Sequence, residues 1–341
     1  MKNLIPTWVL LIVFVITGCS SKKLTHKDLS TKLRTVDDSI RVGDMTIRNA
    51  FKQQLLAHSG GTFDSLVIRD KVYRPNRYVF DNCLGMIFGD ENGEKFQPPG
   101  IYEWNRTLLT ENDSLLKVRL AVLDSVNINE LFTQHLTAVQ ELTGQKGHGS
   151  WMVYFGPKNF QIFGGCDNHA MILDMFGDAW NTKDINEVFA HEIEHLVFGP
   201  ILGKDPHGDT GLGVTLDEGL AVYFTYTYLN QSLDEALYGK NTQLLYDREK
   251  EILQKLEPYF YKSGDEACPI FLHCGRDSKC APLIDGLPER LTGEVCYFLG
   301  FRIIEQYVAK HGRDSWKDLY KIPIKEFYEK SGYREYIISK P

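Results

Sequence analysis

Residues 191–195 read HEIEH, and this short segment holds the side chains best suited to carry out chemistry. Residues four apart lie on one face of a helix, so the imidazoles of His191 and His195 can both point at a single ion. Zinc suits this pair because it accepts imidazole and carboxylate ligands and leaves a position open for water. Glu192 can reach that water as a general base without being a ligand. The alternative is a pair of surface histidines on an amphipathic helix, but the apolar residues around them favour burial.

A third zinc ligand is predicted at Glu218, in the segment 216–224 (LDEGLAVYF). A helix carrying this carboxylate, packed beside the first, would complete a site of two histidines and one glutamate. The alternative is a capping box, in which Thr215 and Glu218 satisfy the backbone at the start of the helix. The small residues Gly219 and Ala221 favour the ligand, since they allow two helices to approach closely at a metal site.

Several elements must position these residues. Apolar periodicity predicts helices over about 113–122, over 128–142, from 183 through the HEIEH segment, over 215–229 and over about 292–310. Residues 151–155 and 170–175 have the composition of strands, with a turn at Gly164 and Gly165 between them. Residues 199–214 are predicted to form a glycine-rich loop. The strand at 170–175 is either the edge strand that pairs with an extended peptide substrate or an ordinary core strand.

The HEIEHL and DEGLAVYF segments together resemble the gluzincin zinc metallopeptidases, in which an E-G-x-A helix supplies a glutamate ligand. The C-terminal part, with YFLGFRII at 297–304 and KSGY at 330–333, is similar to a group of predicted zinc-dependent proteases of bacteria. This peptidase-MA-like group includes lipoproteins related to gliding-motility lipoprotein B, and the resemblance covers about residues 150–335. It implies an α+β, zincin-like fold that is mainly helical with a small mixed sheet. It also implies His191, His195 and Glu218 as ligands of Zn²⁺, with Glu192 as the catalytic base.

A peptidase of this kind also needs a donor that stabilises the developing oxyanion. Three residues are candidates for this role: Tyr297, His207 in the glycine-rich loop, and Arg302. Each has an ordinary alternative as a packing or surface residue.

The N-terminus predicts export and attachment to a membrane. Lys2 precedes an unbroken apolar run over 8–16, and residues 16–19 (ITGC) resemble the bacterial lipobox, in which the cysteine is lipidated. We therefore expect a signal peptide over 1–18, lipidation of Cys19 and a polar tether over 19–35. The predicted location is the bacterial cell envelope, with the protein anchored by lipid. Residues 36–149 form an unassigned N-terminal part of the globular domain, and 150–341 form the catalytic domain.

Composition narrows the function further. The chain has a formal net charge of −7, whereas nucleic-acid-binding proteins carry clusters of basic residues. Binding of nucleic acid is therefore not expected. In an oxidising compartment, the six cysteines beyond Cys19 are expected to form disulfides, although buried thiols are the alternative for each. These cysteines are Cys83, Cys166, Cys268, Cys274, Cys280 and Cys296.

Two functions of different classes fit these features. The first is a membrane-anchored zinc peptidase that hydrolyses peptide bonds of a peptide or protein substrate in the envelope or at the cell surface. Hydrolysis of a non-peptide amide or ester would use the same site. The second is a non-catalytic envelope lipoprotein that keeps the fold for binding or assembly, as in a gliding or secretion apparatus.

Overall fold

A computed structural model describes residue 33 and residues 36–123, 125–157, 163–167, 170–177, 181–237, 239–263, 266 and 295–340. The predicted signal peptide, Cys19 and the cysteines at 268, 274 and 280 lie outside the described residues. Leu33, near the end of the predicted tether, is buried in the main core at 1% exposure.

The sheet has five strands in the order β1-β2-β3-β5-β4. These are β1 (Ser39–Val42), β2 (Asp44–Asn49), β3 (His148–Tyr154), β4 (Phe163–Asp167) and β5 (Ala170–Asp174). The pairs β2–β3 and β3–β5 are parallel, whereas β1 and β4 pair antiparallel to their neighbours. The prediction of a small mixed sheet is therefore confirmed.

Of the two alternatives for residues 170–175, the core strand is confirmed and the edge strand is wrong. The strand β5 lies between β3 and β4, so β4 is the edge of the described sheet on this side. The expectation of a turn at Gly164 and Gly165 is also wrong, because both residues pair with β5 inside β4. A run of glycines carries no side-chain pattern that would mark it as a strand, and here the main chain alone forms the pairing.

Helices make up most of the remaining structure. In the N-terminal half they are α1 (Ala50–Leu56), α2 (Ser65–Val67), α3 (Gly85–Phe88), α4 (Gly100–Glu111), α5 (Asp113–Val122) and α6 (Ile128–Thr143). In the C-terminal half they are α7 (Thr182–Leu202), α8 (Gly211–Leu229), α9 (Leu233–Ala236), α10 (Thr242–Asp247), α11 (Glu249–Leu256), α12 (Val295–His311), α13 (Ile324–Ser331) and α14 (Tyr333–Ser339). Among the described residues, no helix is both long and apolar enough to span a bilayer. The chain therefore has the predicted α+β class, mostly helical with a small sheet.

The two helices that carry the predicted ligands begin at side-chain caps. Asn181 accepts a hydrogen bond from the main-chain N–H of Asp184 and starts α7. Thr210 accepts from the N–H of Gly213 and starts α8, four residues before the predicted start. A Cβ at position 213 would lie 2.3 Å from the carbonyl oxygen of Gly208, so glycine is required for this tight entry into the helix.

Both faces of the sheet are covered. Trp151 and Val153 of β3 point into the main core, which includes α7, α8 and α12. The alternate residues Met152 and Tyr154 point into a smaller core formed largely by residues 57–101. Cys83 lies in this smaller core and is disulfide-bonded. Residues 36–149 thus supply two strands of the sheet and most of the smaller core, and α5 and α6 also contribute to the main core.

Candidate metal centre

Three of the predicted site residues meet at one point between α7 and α8. The Nε2 atoms of His191 and His195 are 3.2 Å apart, and each lies 3.3 Å from Oε2 of Glu218. The two histidines share one face of α7, one turn apart, while Glu218 projects from α8. All three side chains are largely buried, with exposed fractions of 18%, 15% and 13%.

This arrangement fits a zinc ion. Tetrahedral zinc with bonds of about 2.0–2.1 Å to nitrogen and oxygen places its ligand atoms about 3.3–3.4 Å apart. The three atoms form a nearly equilateral triangle with sides of 3.2–3.3 Å. Two imidazoles and one carboxylate are also the donor types of a catalytic zinc site that keeps a fourth position open for water.

The capping-box alternative for Glu218 is wrong. The N-terminus of α8 is capped by Thr210, so Glu218 lies in the third turn of the helix rather than at its start. The hydroxyl of Thr215 donates to the carbonyl of Gly211 inside the same helix, at 2.7 Å. Glu218 is therefore directed towards the two histidines and not towards the helix backbone.

Asp217 joins the centre from the other side of His195, a role that the sequence reasoning missed. Its Oδ1 atom lies 3.1 Å from Nδ1 of His195, so the imidazole is held between Asp217 on one nitrogen and Glu218 on the other. A carboxylate on the outer nitrogen is the usual partner of a metal-binding histidine, because it fixes the tautomer and the ring orientation. An aspartate directly before a predicted ligand glutamate was the available sequence signal.

The electrostatics of the cluster follow from these contacts. Burial opposes the charged form of His195, but Asp217 and Glu218 outweigh it and raise the pKa of this histidine well above its ordinary value. Burial alone would raise the pKa of Glu218; instead, the facing imidazoles of His195 and His191 hold it far below its usual range. The cluster thus pairs positive and negative groups in a site largely shielded from water, which is also the environment in which a cation binds strongly.

Glu192 lies near the edge strand β4. A Cβ built on Gly164 would stand 3.9 Å from Oε2 of Glu192, which locates the carboxylate close to the strand. Burial raises the pKa of Glu192, the two histidines oppose the rise, and the neighbouring carboxylates add to it. A carboxylate whose pKa is raised towards neutral accepts protons more readily, which suits a general base.

The three oxyanion candidates lie in different places. Tyr297 reaches the centre, since its ring stacks on the imidazole of His191 with centroids 6.0 Å apart and planes inclined by 20°. His207, in the loop before α8, packs against the ring of Tyr261. Arg302 donates to the buried Glu249 at 2.5 Å, so its guanidinium belongs to a separate ion cluster.

Tyr297 reaches His191 because α8 and α12 touch through glycines. A Cβ on Gly219 would lie 2.3 Å from the backbone of Gly300, and a Cβ on Gly300 would lie 1.8 Å from the carbonyl oxygen of Thr215. The close approach expected at Gly219 therefore occurs between α8 and α12, not between the two helices that carry the ligands. Tyr297 precedes Gly300 by one helical turn and is carried towards the histidines by this contact.

A further buried carboxyl, Glu194, lies behind the centre. It accepts a hydrogen bond of 2.6 Å from the hydroxyl of Tyr320, and burial raises its pKa to about 8. No local sequence signal marks this pair, because the two residues are 126 positions apart.

Comparison with known proteins gives one match. No curated protein and no solved structure matches the chain. A family model described as a predicted Zn-dependent protease (DUF2268) matches residues 158–329, half of the chain. The matched region includes α7, α8 and α12, and therefore every side chain of the metal centre. From this match we conclude that the chain belongs to the family of predicted Zn-dependent proteases (DUF2268).

Proposed function

We propose that the protein is a zinc peptidase of the gluzincin type, with His191, His195 and Glu218 as the metal ligands and Glu192 as the general base. The observation that carries this proposal is the triangle of two imidazole nitrogens and one carboxylate oxygen, with sides of 3.2–3.3 Å. Glu192 stands beside this triangle on the side of the edge strand. The combination matches what metal-assisted hydrolysis needs from a protein.

Glu192 and Asp217 have different roles in the proposed hydrolysis. Zinc, when bound, supplies a Lewis acid that polarises a carbonyl group and lowers the pKa of water. Glu192 takes the proton from the attacking water and delivers it to the nitrogen of the leaving amine as the peptide bond breaks. Asp217 holds the ring of His195 in the orientation that turns Nε2 towards the centre.

We assign the substrate to the outer edge of β4, the last strand of the described sheet. An extended peptide can add to a sheet edge through main-chain hydrogen bonds, and β4 is the edge beside Glu192. Gly164 and Gly165 have no side chains, which leaves room for the substrate backbone to approach. Tyr297 stacks on His191, and this position beside a metal ligand supports it as the oxyanion donor.

The site of action follows from the N-terminal sequence. We propose that Cys19 carries the lipid and that the peptidase works in the cell envelope, attached to the membrane by this anchor. The basic start, the apolar run and the lipobox-like ITGC segment support this location.

Metal analysis and peptide cleavage by three variants test the function. We expect about one zinc per chain in the wild-type protein and in Glu192→Gln, and a large loss of zinc in His195→Ala, which removes one of three protein ligands. Cleavage of a peptide library, followed by mass spectrometry, should fall about 10²–10⁴-fold in Glu192→Gln. The matched control is Glu187→Gln, which changes a carboxylate on the same helix that pairs with Lys183.

The outcomes separate the alternatives. A wild-type protein without bound zinc, or a Glu192→Gln variant that cleaves as fast as wild type, would refute the peptidase. Stoichiometric zinc without cleavage of any peptide would favour the non-catalytic lipoprotein that binds or assembles partners.

A further inference from the structure

Glu194 is a carboxyl group buried inside the helix that carries the zinc ligands. It has an exposed fraction of 0%, and the hydroxyl of Tyr320 donates to its Oε1 atom at 2.6 Å. Tyr320 belongs to the 3₁₀ segment Ser315–Tyr320 near the C-terminus, and its ring packs against Phe198 of α7 with centroids 5.4 Å apart. A C-terminal segment is thus joined to α7 by both a hydrogen bond and a ring contact.

Glu194 also lies close to the metal centre. Carboxylate oxygens of Glu194 and Asp217 and a ring nitrogen of His195 all lie within 4.8 Å of one another. Within the described part of the chain, Oε2 of Glu194 is buried and has no hydrogen-bond partner. Glu194 therefore lies next to the pair formed by Asp217 and His195.

A second buried glutamate shows how unusual this environment is. Glu249 is 1% exposed, and it is compensated by Arg302 at 2.5 Å, Lys340 at 2.9 Å and the hydroxyl of Tyr333 at 3.0 Å. Among the described residues, no lysine or arginine pairs with Glu194. The hydrogen bond from Tyr320, rather than an ion pair, therefore holds Glu194 in place.

From this arrangement we infer that Tyr320 and Glu194 are positioning residues, which hold Asp217 against His195 and so orient this ligand towards the metal. The inference rests on the proposed zinc site and extends it by an outer layer. Tyr320 fixes the rotamer of Glu194, Glu194 limits the movement of Asp217, and Asp217 sets the ring plane of His195. The affinity of the site for metal therefore depends on the docking of residues 315–320 onto α7.

Metal binding by the full chain provides the test. Zinc dissociation constants are measured by competition with a chromophoric chelator, and the geometry of the centre is read from the visible absorption spectrum of the cobalt-substituted protein. Two variants break the layer, Tyr320→Phe and Glu194→Leu, while Glu194→Gln keeps an acceptor for Tyr320 and a polar group towards Asp217. Tyr333→Phe is the matched control, because it removes a hydrogen bond between a buried tyrosine and the buried Glu249 elsewhere in the chain.

We expect the zinc dissociation constant to rise about tenfold in Glu194→Leu and about three- to tenfold in Tyr320→Phe, with a changed cobalt spectrum in both. Glu194→Gln and Tyr333→Phe should stay within about twofold of wild type and keep its spectrum. In the double variant Tyr320→Phe with Asp217→Asn, the zinc dissociation constant should rise by less than the product of the two single fold-changes, because both substitutions act on His195.

Two results would overturn the inference. In the first, Tyr320→Phe lowers the melting temperature as Tyr333→Phe does but keeps the wild-type zinc affinity and cobalt spectrum, which would make Tyr320 a purely structural residue. In the second, the wild-type chain binds neither zinc nor cobalt, which would refute the proposed function and this inference with it. If the wild-type chain binds metal, a negative result refutes only this inference. If it binds no metal, the proposed function is refuted as well.

Discussion

Gly300 stands where α8 and α12 approach so closely that their backbones touch. A Cβ at this position would lie 1.8 Å from the carbonyl oxygen of Thr215 and 2.8 Å from Cα of Gly219. Ordinary contacts between carbon and a carbonyl oxygen are about 3.3 Å or longer. The substitution Gly300→Ala therefore requires α12 to move away from α8 by about 1.5 Å, the difference between these distances.

The expected cost follows from this displacement. A gap of even 0.5–1 Å removes roughly a quarter to a half of the dispersion attraction between facing atoms. Both obstructing atoms belong to helix backbone, which cannot rotate aside as a side chain would. We therefore expect the free energy of unfolding to fall by about 3 kcal/mol, near the upper end of the range for overpacking. This net value already includes the gain of about 1 kcal/mol in helix propensity from glycine to alanine. The melting temperature should fall by about 4 °C.

The same movement should affect catalysis. Tyr297 lies one turn before Gly300 and stacks on His191, so its ring should leave the metal centre when α12 shifts. Peptide cleavage should then decrease more than zinc affinity, because the three ligands come from α7 and α8.

Urea denaturation of Gly300→Ala and of Gly85→Ala measures the effect on stability. Gly85 is also helical, but the nearest atom to a Cβ there is Cα of Gly93 at 3.5 Å, an ordinary contact. Gly85→Ala should therefore be neutral or stabilising by up to about 1 kcal/mol. If the two variants unfold at the same urea concentration, the argument from close helix approach is refuted.

Two further predictions concern a buried carboxyl and the N-terminal anchor. Asp174 accepts hydrogen bonds from the main-chain N–H groups of Gly156 and Phe176, and burial raises its pKa to about 7 from an ordinary 3.8. The folded state therefore binds more protons than the unfolded state between these values. The stability relative to Asp174→Asn should consequently fall by about 3 kcal/mol as the pH rises from about 4 to 7. Urea midpoints of the metal-free proteins across this range check the prediction, and a difference independent of pH contradicts it. For the anchor, labelled palmitate should enter the wild-type protein in a bacterial host but not Cys19→Ser, and equal labelling of both proteins would exclude lipidation at Cys19.

Local sequence patterns determined much of the helical structure and the pair of histidines. The predicted helix over 128–142 is observed as Ile128–Thr143, because Asn127 caps its start and Gly144, with φ of 72°, ends it. His191 and His195 share a face of α7 simply because they are four residues apart in a helix. These features depend on interactions within a few residues, which a single sequence displays directly.

Strand pairing and the outer layer of the centre were decided only by the tertiary structure. Whether β5 or β4 forms the edge depends on which strand hydrogen-bonds to which, and strand composition does not encode a partner. Gly219 has the small size that sequence reasoning recognised, but its contact is Gly300 of a helix far along the chain. The hydrogen bond between Glu194 and Tyr320 joins residues 126 positions apart. The sequence by itself thus determined the helices and the spacing of the histidines, because both depend on interactions between residues close together in the chain. Only the tertiary structure determined the edge strand, the helix contacts and the partners of the buried carboxyls. Those interactions exist only when distant segments are packed together.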